Sequence, residues 1–232
     1  MKRFLLVTGT DTGVGKTTVS VALLAAWRRR GHLVRPQKPI ETGLDDRSTE
    51  SDAFRLAQAV GIDGHATSWL RFRLPVAPEA AARAEGQVID PDRLIAHCRQ
   101  LPGDHILIEG AGGLLVPIAK GFVVADLAQS LGARLLVVAR TRLGTINHTL
   151  LTLHEAQRRG LVVAGLVLNR TVDEIGPEET DNVRLLREHA DGGTPDPLGP
   201  LPFSESQAPD VLAALAEAHL PVGDLFLRAF AE

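Results

Sequence analysis

The chain is poor in cysteine, because Cys98 is the only one among its 232 residues. A single cysteine excludes an intrachain disulfide and cannot by itself form a metal site of several cysteines. We therefore expect Cys98 to be a small buried apolar side chain. Histidine does not supply a metal site instead. His148 and His154 have no carboxylate or cysteine at metal-site spacing, so we expect them on a helix surface or in the core.

An excess of positive charge is also lacking, since the formal net charge is -3. The chain as a whole is therefore not attracted to phosphate backbones or anionic membranes, and we expect neither nucleic acid nor membrane as a partner. Long apolar runs are missing too. The opening run "MKRFLLV" meets polar residues from Thr8 onward before it reaches signal-peptide length, and no later run approaches a membrane span. These features indicate a cytoplasmic protein.

Internal repeats and Ser/Gly linkers are absent. Apolar residues make up 44% and charged residues 23%, as is typical of a globular protein. The stretch "HADGGTPDP" at 189–197 is rich in Gly and Pro, but the segment after it is shorter than a usual domain. We predict one domain over residues 1–232.

Apolar runs of strand length alternate along the chain with segments of helical periodicity. The runs are "RFLLVTG", "HLVRPQKP", "HILIEG", "ARLLVVAR" and "LVVAGLVLN", and the helical spacing lies at 17–30, 122–131 and 146–159. Such alternation predicts parallel strands joined by crossover helices. The expected class is α/β, with a mostly parallel sheet flanked by helices.

The stretch "TGTDTGVGKTT" at 8–18 nearly spells the phosphate loop G-x-x-x-x-G-K-[ST]. Five residues instead of four separate Gly9 from Gly15. Glycines at Gly13 and Gly15 allow backbone N–H groups to approach phosphate oxygens, Lys16 adds a positive charge, and the Thr17 hydroxyl can hold magnesium. Because a predicted strand precedes the loop and a predicted helix follows it, we expect a P-loop NTPase-like nucleotide site.

Polar residues near the carboxyl ends of the predicted strands complete a candidate site, since ligands bind at that edge of a parallel sheet. Glu109 closes a buried run, and Asp52 opens a helical segment. Both could serve Mg²⁺, although Asp52 taken alone is better explained as a first-turn acid or cap. Lysine is scarce beside arginine in this chain. Lys38 at a strand end therefore hints at a required ammonium, with simple solvation as the alternative.

The segment "LGTINHTLLTLHEAQ" contains a second candidate anion site. Gly144 and Thr145 precede a helix whose apolar positions begin at Ile146, so free N–H groups lie at the helix start. A helix N-terminus attracts anions. Ordinary capping is the commoner use of such residues and remains open.

Six segments together resemble the dethiobiotin synthetase family along nearly the whole chain. They are "VTGTDTGVGKTT", "KPIETG", "SDA", "IEGAGGLLVPI", "LGTINHTLLT" and "GLVLN", and their order and spacing also match. The family is similar to this chain in the five-residue spacing of its loop glycines. The resemblance implies that 7,8-diaminononanoate, carbon dioxide and ATP react to give dethiobiotin, ADP and phosphate. It also implies Mg²⁺ and a homodimer with the active site at the interface. ATP and CTP remain alternative nucleotides.

The resemblance also implies roles for individual residues. Lys16 and Lys38 would be catalytic, and Thr17, Asp52 and Glu109 would surround the metal. Asn169 would read the adenine edge, and residues 202–204 would line the base pocket. The implied nucleotide contacts are Gly13, Val14, Gly15, Lys16, Thr17, Thr18, Asp52, Glu109, Gly110, Ala111, Gly112, Asn169, Arg170, Pro202, Phe203 and Ser204. The implied substrate contacts are Thr12, Lys38, Thr42, Gly144, Thr145 and Asn147, the last three from the neighbouring subunit.

One position departs from the family pattern, because Glu79 stands where the family often has histidine. Two other protein classes share parts of this pattern. A ParA- or MinD-like ATPase switch carries a second lysine five residues before the motif lysine, but Asp11 occupies that position here. Cobyrinate-amidating ligases need a glutamine-hydrolysing partner domain, for which this chain has no room.

Overall fold

The computed structural model describes residues 1–44, 51–190 and 194–231. The strands in these ranges are β1 Arg3–Gly9, β2 Val34–Thr42, β3 Ser68–Phe72, β4 His105–Gly113, β5 Pro117–Ala119, β6 Phe122–Val123, β7 Arg134–Arg140, β8 Val163–Asn169 and β9 Pro197–Leu201. The helices are α1 Lys16–Arg29, α2 Asp52–Val60, α3 Pro78–Ala84, α4 Pro91–Gln100, α5 Val124–Leu131, α6 Thr145–Arg158, α7 Glu178–His189, α8 Pro209–His219 and α9 Val222–Ala229.

Within the described ranges, a seven-stranded sheet has the order β3-β2-β4-β1-β7-β8-β9, and β5 pairs with β6 in a separate antiparallel hairpin. Neighbouring strands of the large sheet all run parallel. The predicted α/β class with helix-flanked parallel strands is therefore confirmed. The edges β3 and β9, together with the hairpin, had not been predicted.

Helices cover both faces of the sheet, and the strand side chains alternate between the two layers. In β1, Phe4 and Leu6 face a core shared with α3, α4, α5, α6 and α7. Leu5 and Val7 face a second core shared with α1, α2, α8 and α9. This period of two is the reason that a strand buried on both faces reads as one continuous apolar run.

The strands β2 and β4 extend further than the sequence indicated. Lys38 and Glu109 were expected as terminal residues, but they lie inside β2 and β4. Pairing between these two strands stops at Gln37 and Ile108. Beyond that point β2 pairs with β3, and the register between β1 and β4 becomes irregular. The two charged residues thus lie where β2 and β4 separate, which opens space at the carboxyl edge of the sheet.

Two expectations from composition can be compared with the structure. Cys98 is fully buried, as expected, and burial raises the pKa of its thiol to about 12. Among residues 1–44, 51–190 and 194–231, no helix has the length and apolar character that a membrane crossing requires.

Candidate active site

The glycine-rich loop connects β1 to α1 and brings backbone N–H groups to the carboxyl edge of the sheet. Gly13 and Gly15 have φ values of 75° and 89°, a left-handed conformation that favours glycine. The helix α1 begins directly after Gly15, at Lys16. Its free N–H groups and dipole therefore point at the loop, which is the arrangement that binds phosphate.

Asn169, at the end of β8, fixes the position of the glycine-rich loop by a hydrogen bond. Its Nδ2 donates a hydrogen bond to the carbonyl of Val14 over 3.1 Å, and only 2% of the residue is exposed. A Cβ atom at Gly15 would lie 2.1 Å from the same Nδ2. The loop therefore needs glycine at this position for two reasons, the backbone conformation and the close approach of Asn169.

We expect Gly15→Ala to destabilise the fold more than Gly13→Ala does. Each alanine adopts a left-handed conformation, which costs about 1–2 kcal/mol. Only the alanine at position 15 also collides with Asn169, because nothing lies within 4 Å of a Cβ at Gly13. Urea unfolding of both variants measures the difference. Equal free energies of unfolding would show that Asn169 exerts no steric control over the loop.

A cluster of buried charges lies beside the loop. The Glu109 carboxylate is fully buried, and its Oε1 accepts hydrogen bonds from Thr17 Oγ1 and Lys38 Nζ, both over 2.8 Å. Lys38 Nζ also lies 3.1 Å from Asp52 Oδ2 and 3.4 Å from the carbonyl oxygen of Gly110. The structure thus brings together residues predicted from four separate segments of the sequence.

The charges in this cluster control one another's protonation. Burial opposes the charge on Lys38, but the Glu109 and Asp52 carboxylates outweigh it and raise the lysine pKa above its ordinary value. Burial, followed by repulsion from Lys38, lowers the pKa of Lys16. Burial also opposes the negative charge of Asp52, but the nearby Lys38 holds the pKa of that carboxyl below its usual value.

Glu41 is a buried carboxylate that the sequence analysis did not identify. Its Oε1 accepts a hydrogen bond from the backbone N–H of Ala53 over 3.0 Å, in the first turn of α2. Arg71 Nε lies 3.8 Å from the other carboxylate oxygen. Burial raises the pKa of Glu41. Because Ala53 follows Asp52 directly, Glu41 fixes the start of the helix that supplies the Asp52 carboxylate.

These groups border a cavity of about 660 Å³. One part of its wall is polar and contains the loop together with Lys38 and Asp52, while the fully buried Glu109 lies behind this wall. Another part is apolar, with Ile40, Leu44, Val76 and Val116. The complete lining is Thr12, Gly13, Gly15, Lys16, Thr17, Thr18, Lys38, Ile40, Glu41, Thr42, Leu44, Ser51, Asp52, Arg55, Pro75, Val76, Ala77, Pro78, Ala111, Gly112 and Val116. The cavity can hold a ligand with a polyanionic end and an apolar part.

Other predicted residues lie beside this cavity rather than in its described lining. Val14 is fully buried under the loop. Arg170 follows β8 and forms an ion pair with Glu179 in α7. Pro202, Phe203 and Ser204 follow β9 directly and are half-buried. Glu79 lies in the first turn of α3, just after the lining residue Pro78.

The predicted helix start at 144–147 is confirmed as the beginning of α6, but it is also outside the cavity lining. Gly144 has a φ of 90° and is exposed, and Asn147 is exposed as well. Thr145 is 1% exposed, and its Oγ1 has no hydrogen-bond partner among the described residues. A ligand contact from this segment to the cavity therefore remains a prediction.

Comparison with known proteins gives consistent matches. A family model described as an AAA domain matches residues 3–208. The ATP-dependent dethiobiotin synthetase BioD of Anaeromyxobacter dehalogenans (strain 2CP-C) is 48% identical over 187 residues, which cover 79% of this chain and 82% of that protein. The protein of the same name from Haloferax mediterranei is 40% identical over 93% of this chain and 90% of its own length.

The fold is shared more widely than the sequence. The crystal structure of a ParA family ATPase from Chlorobium tepidum aligns over 94% of this chain and 99% of its own, with a TM-score of 0.52 and 13% identity. An identity this low supports the P-loop NTPase architecture alone. The high identity and coverage of the curated relatives support a closer relationship. On that evidence, the chain belongs to the family of ATP-dependent dethiobiotin synthetases.

Proposed function

We propose that this protein is an ATP-dependent ligase of biotin biosynthesis that closes a ureido ring. Its substrates are 7,8-diaminononanoate, carbon dioxide and ATP, and its products are dethiobiotin, ADP and phosphate. The observation that carries the proposal is the cavity in which a phosphate loop and buried lysines meet an apolar wall. The curated relatives are named as ATP-dependent, which favours ATP over CTP. We assign the reaction to the cytoplasm.

The reaction proceeds in three steps. One amine of the diamine attacks carbon dioxide, loses a proton and becomes a carbamate. A carbamate oxygen attacks the γ-phosphorus while the bond to the β-phosphate oxygen breaks, so that ADP leaves. The second amine then attacks the carbonyl carbon of the mixed anhydride and loses a proton, the bond from that carbon to the phosphate oxygen breaks, phosphate leaves, and the ring closes. No covalent enzyme intermediate is needed, because such transfers depend mainly on positioning and on charge stabilisation.

The two buried lysines are the cations that stabilise this transfer. Lys16 follows the loop at the first turn of α1, where its ammonium can contact the β- and γ-phosphates. Lys38 also lines the cavity, and in this proposal its ammonium faces the carbamate. Its ammonium is held by Glu109 and Asp52, so its position is fixed before the substrate arrives. A preorganised cation requires little reorganisation during the reaction.

Three residues fit a magnesium ion by their chemistry. Mg²⁺ prefers oxygen ligands, keeps several waters, and is usually bound by one or two carboxylates plus substrate phosphates. Glu109 Oε2 is buried without a hydrogen-bond partner in the described part of the chain, beside the Thr17 hydroxyl and the Asp52 carboxylate. Those ranges contain no group of three or more His, Cys, Asp or Glu residues suited to a metal ion. The ion would therefore depend on the nucleotide, and would neutralise charge on its phosphates.

Glu109→Gln is expected to raise the Mg²⁺ concentration needed for half-maximal turnover by about tenfold or more, because it removes a charged oxygen ligand. The apparent KM for the diamine should change much less. Both values come from steady-state assays at varied Mg²⁺ and varied diamine. A larger effect on the diamine KM would instead assign Glu109 to the substrate.

The nucleotide base belongs, in this proposal, at the ends of β8 and β9. Asn169 ends β8 and Arg170 follows it, and residues 202–204 follow β9. These ends are adjacent because β8 pairs with β9. The loop residues, Gly110, Ala111 and Gly112 lie on the phosphate side. The diamine contacts Thr12 and Thr42, and its alkyl chain lies against the apolar wall of the cavity.

The carboxylate of the diamine is far from both amines and therefore needs an anion site away from the phosphate loop. We assign it to the start of α6 in the neighbouring subunit of a homodimer, where Gly144, Thr145 and Asn147 supply donors. Two features support an interface here. Leu143 is 83% exposed and Leu151 is 61% exposed in the single chain, both on or beside α6. A second copy that packs against the start of α6 would remove these apolar side chains from water.

Gly144→Pro should raise the diamine KM strongly and leave ATP binding nearly unchanged, since it distorts only the carboxylate site. Mixing this variant with Lys16→Ala should restore part of the activity. A mixed dimer would contain one site in which both halves are intact. Turnover of the mixture, after exchange of subunits has been verified, measures the effect. A mixture that stays inactive would place the whole site within one chain.

The proposed function is tested by incubating the purified protein with ATP, Mg²⁺, bicarbonate and the diamine, and by identifying the product by mass. We expect a ureido product and ADP in equal amounts. Omission of any one substrate should prevent formation of the ureido product. Release of ADP at the same rate without the diamine, and no ureido product with it, would contradict the proposal.

A further inference from the structure

Arg55 lies one helical turn after Asp52 on α2 and lines the same cavity. Its Nη2 donates hydrogen bonds to Gln207 Oε1 over 2.5 Å and to Thr18 Oγ1 over 3.4 Å. Both contacts are made by the same nitrogen, so Nη1 remains as a separate donor on a rigid, permanently charged fork. The residue thus brings a fixed cation to the edge of the phosphate loop.

Gln207 connects this cation to two further segments. Its Oε1 also accepts a hydrogen bond from Thr18 Oγ1 over 3.1 Å, and its Nε2 donates to the carbonyl oxygen of Ser204 over 2.8 Å. The start of α1, the first turns of α2 and the chain that follows β9 therefore meet at one point. We name this group, Thr18, Arg55 and Gln207, the clasp.

The position of the clasp along the cavity follows from two neighbouring residues of α1. The Thr17 side chain points to Glu109, where the terminal phosphates and the metal are expected. The Thr18 side chain points to Gln207, close to the segment assigned to the base. The clasp thus lies between the two ends of the nucleotide. A group in that position is near the α-phosphate.

We propose that Arg55 binds the α-phosphate of the nucleotide, and that Thr18 and Gln207 orient its guanidinium. This inference rests on the proposed use of ATP by this site. Arginine suits the role because it can bind a phosphate with one nitrogen while another holds a neighbouring side chain. The Arg55 charge also helps to hold the Asp52 carboxyl in its ionised form. A contact at the α-phosphate stabilises bound ADP and ATP to the same extent.

Calorimetric titration of the full-length protein with ADP and with ATP, both with Mg²⁺, tests this assignment. Arg55→Gln should weaken both nucleotides by the same factor, about tenfold or more, since a hydrogen bond to a charged group is lost. Gln207→Ala is the matched control. It removes the support and keeps the cation, so the loss of affinity should be smaller. The Tm of each variant shows whether the fold is affected.

Three results would overturn the inference. A loss restricted to ATP would place Arg55 at the γ-phosphate. Equal losses in Arg55→Gln and Gln207→Ala, with an equal fall in Tm, would show that the clasp only fastens the fold. Unchanged affinities in Arg55→Gln would also exclude the contact, and the proposed function would survive if the wild type binds both nucleotides. A wild type that binds neither nucleotide would remove the proposed function as well.

Discussion

Replacement of Lys16 by alanine is expected to reduce turnover by about a hundredfold or more in a protein that remains folded, because the loop cation faces charge that develops during phosphoryl transfer. Lys16 is 8% exposed and lines the cavity at the first turn of α1. Within the described part of the chain Lys16 forms no ion pair that the fold would lose, and removal of a buried charge relieves desolvation. Catalysis should therefore fall much further than stability.

Lys120→Ala provides the matched control for this variant. Lys120 is exposed in the turn between β5 and β6, away from the loop. Turnover and urea unfolding of both variants separate a local effect from a general effect of lost positive charge. If folded Lys16→Ala retained nearly normal turnover, the phosphate loop would have no part in the mechanism.

We expect that neither arginine nor an apolar residue can replace Lys38 without a large loss of turnover. Lys38→Arg keeps the charge, but the wider guanidinium does not fit where Lys38 Nζ lies 2.8 Å from Glu109 and 3.1 Å from Asp52. Lys38→Met leaves the fully buried Glu109 carboxylate without its cation. The loss of one partner of a buried pair costs about 3–5 kcal/mol of folding free energy. We expect turnover to fall about a hundredfold or more in both variants.

A double variant separates the stabilising role of Lys38 from its catalytic role. Adding Glu109→Gln to Lys38→Met removes the unpaired buried charge, so the free energy of unfolding should recover in part. Turnover should remain as low as in the single variant, because the ammonium is still missing. Full activity in Lys38→Arg would instead show that the site needs only a positive charge here, and not an ammonium in one defined position.

The central strands and the phosphate loop could be predicted from the sequence, because their signals are local. Strands such as β1 and β7 contain continuous apolar runs, and the loop has a fixed spacing of glycines next to Lys16 and Thr17. The edge strand β9 was missed, since "PLGPL" contains two prolines and a glycine that normally interrupt strands. The prolines are tolerated because β9 is an edge strand, which among the described strands pairs only with β8. Its other edge forms no hydrogen bonds with a neighbouring described strand, so a missing N–H on that side costs little.

Glu41 and Arg55 were not predicted as site residues, because only their tertiary contacts identify them. Glu41 accepts a bond from Ala53, and Arg55 meets Gln207 although 152 residues separate them in the sequence. Neither contact has a characteristic spacing. The reach of β2 beyond Lys38 was also unpredictable, because it depends on pairing with the unrecognised strand β3. The polar residues after "HLVRPQKP" predict a loop at 41–50, but residues 41 and 42 belong to β2, and residues 45–50 lie outside the described residues.

A ParA-like switch function has the same architecture but different chemistry at the loop. The position of the additional lysine in such switches carries Asp11, and the Asp11 carboxylate lies 3.9 Å from Arg140 at the end of β7. A lysine there would face a cation instead of forming this pair. The loop of this chain therefore lacks the additional cation of such switches.

Oxygen tracing from bicarbonate is the most direct test of the central claim that the cavity phosphorylates a carbamate before the ring closes. The protein is incubated briefly with ¹⁸O-labelled bicarbonate, ATP and the diamine, and the phosphate and the ureido product are analysed by mass. We expect one labelled oxygen in each released phosphate and one in the ureido carbonyl, because the carbamate oxygen that attacks the γ-phosphorus leaves with the phosphate. Ureido product formed together with unlabelled phosphate would contradict this claim.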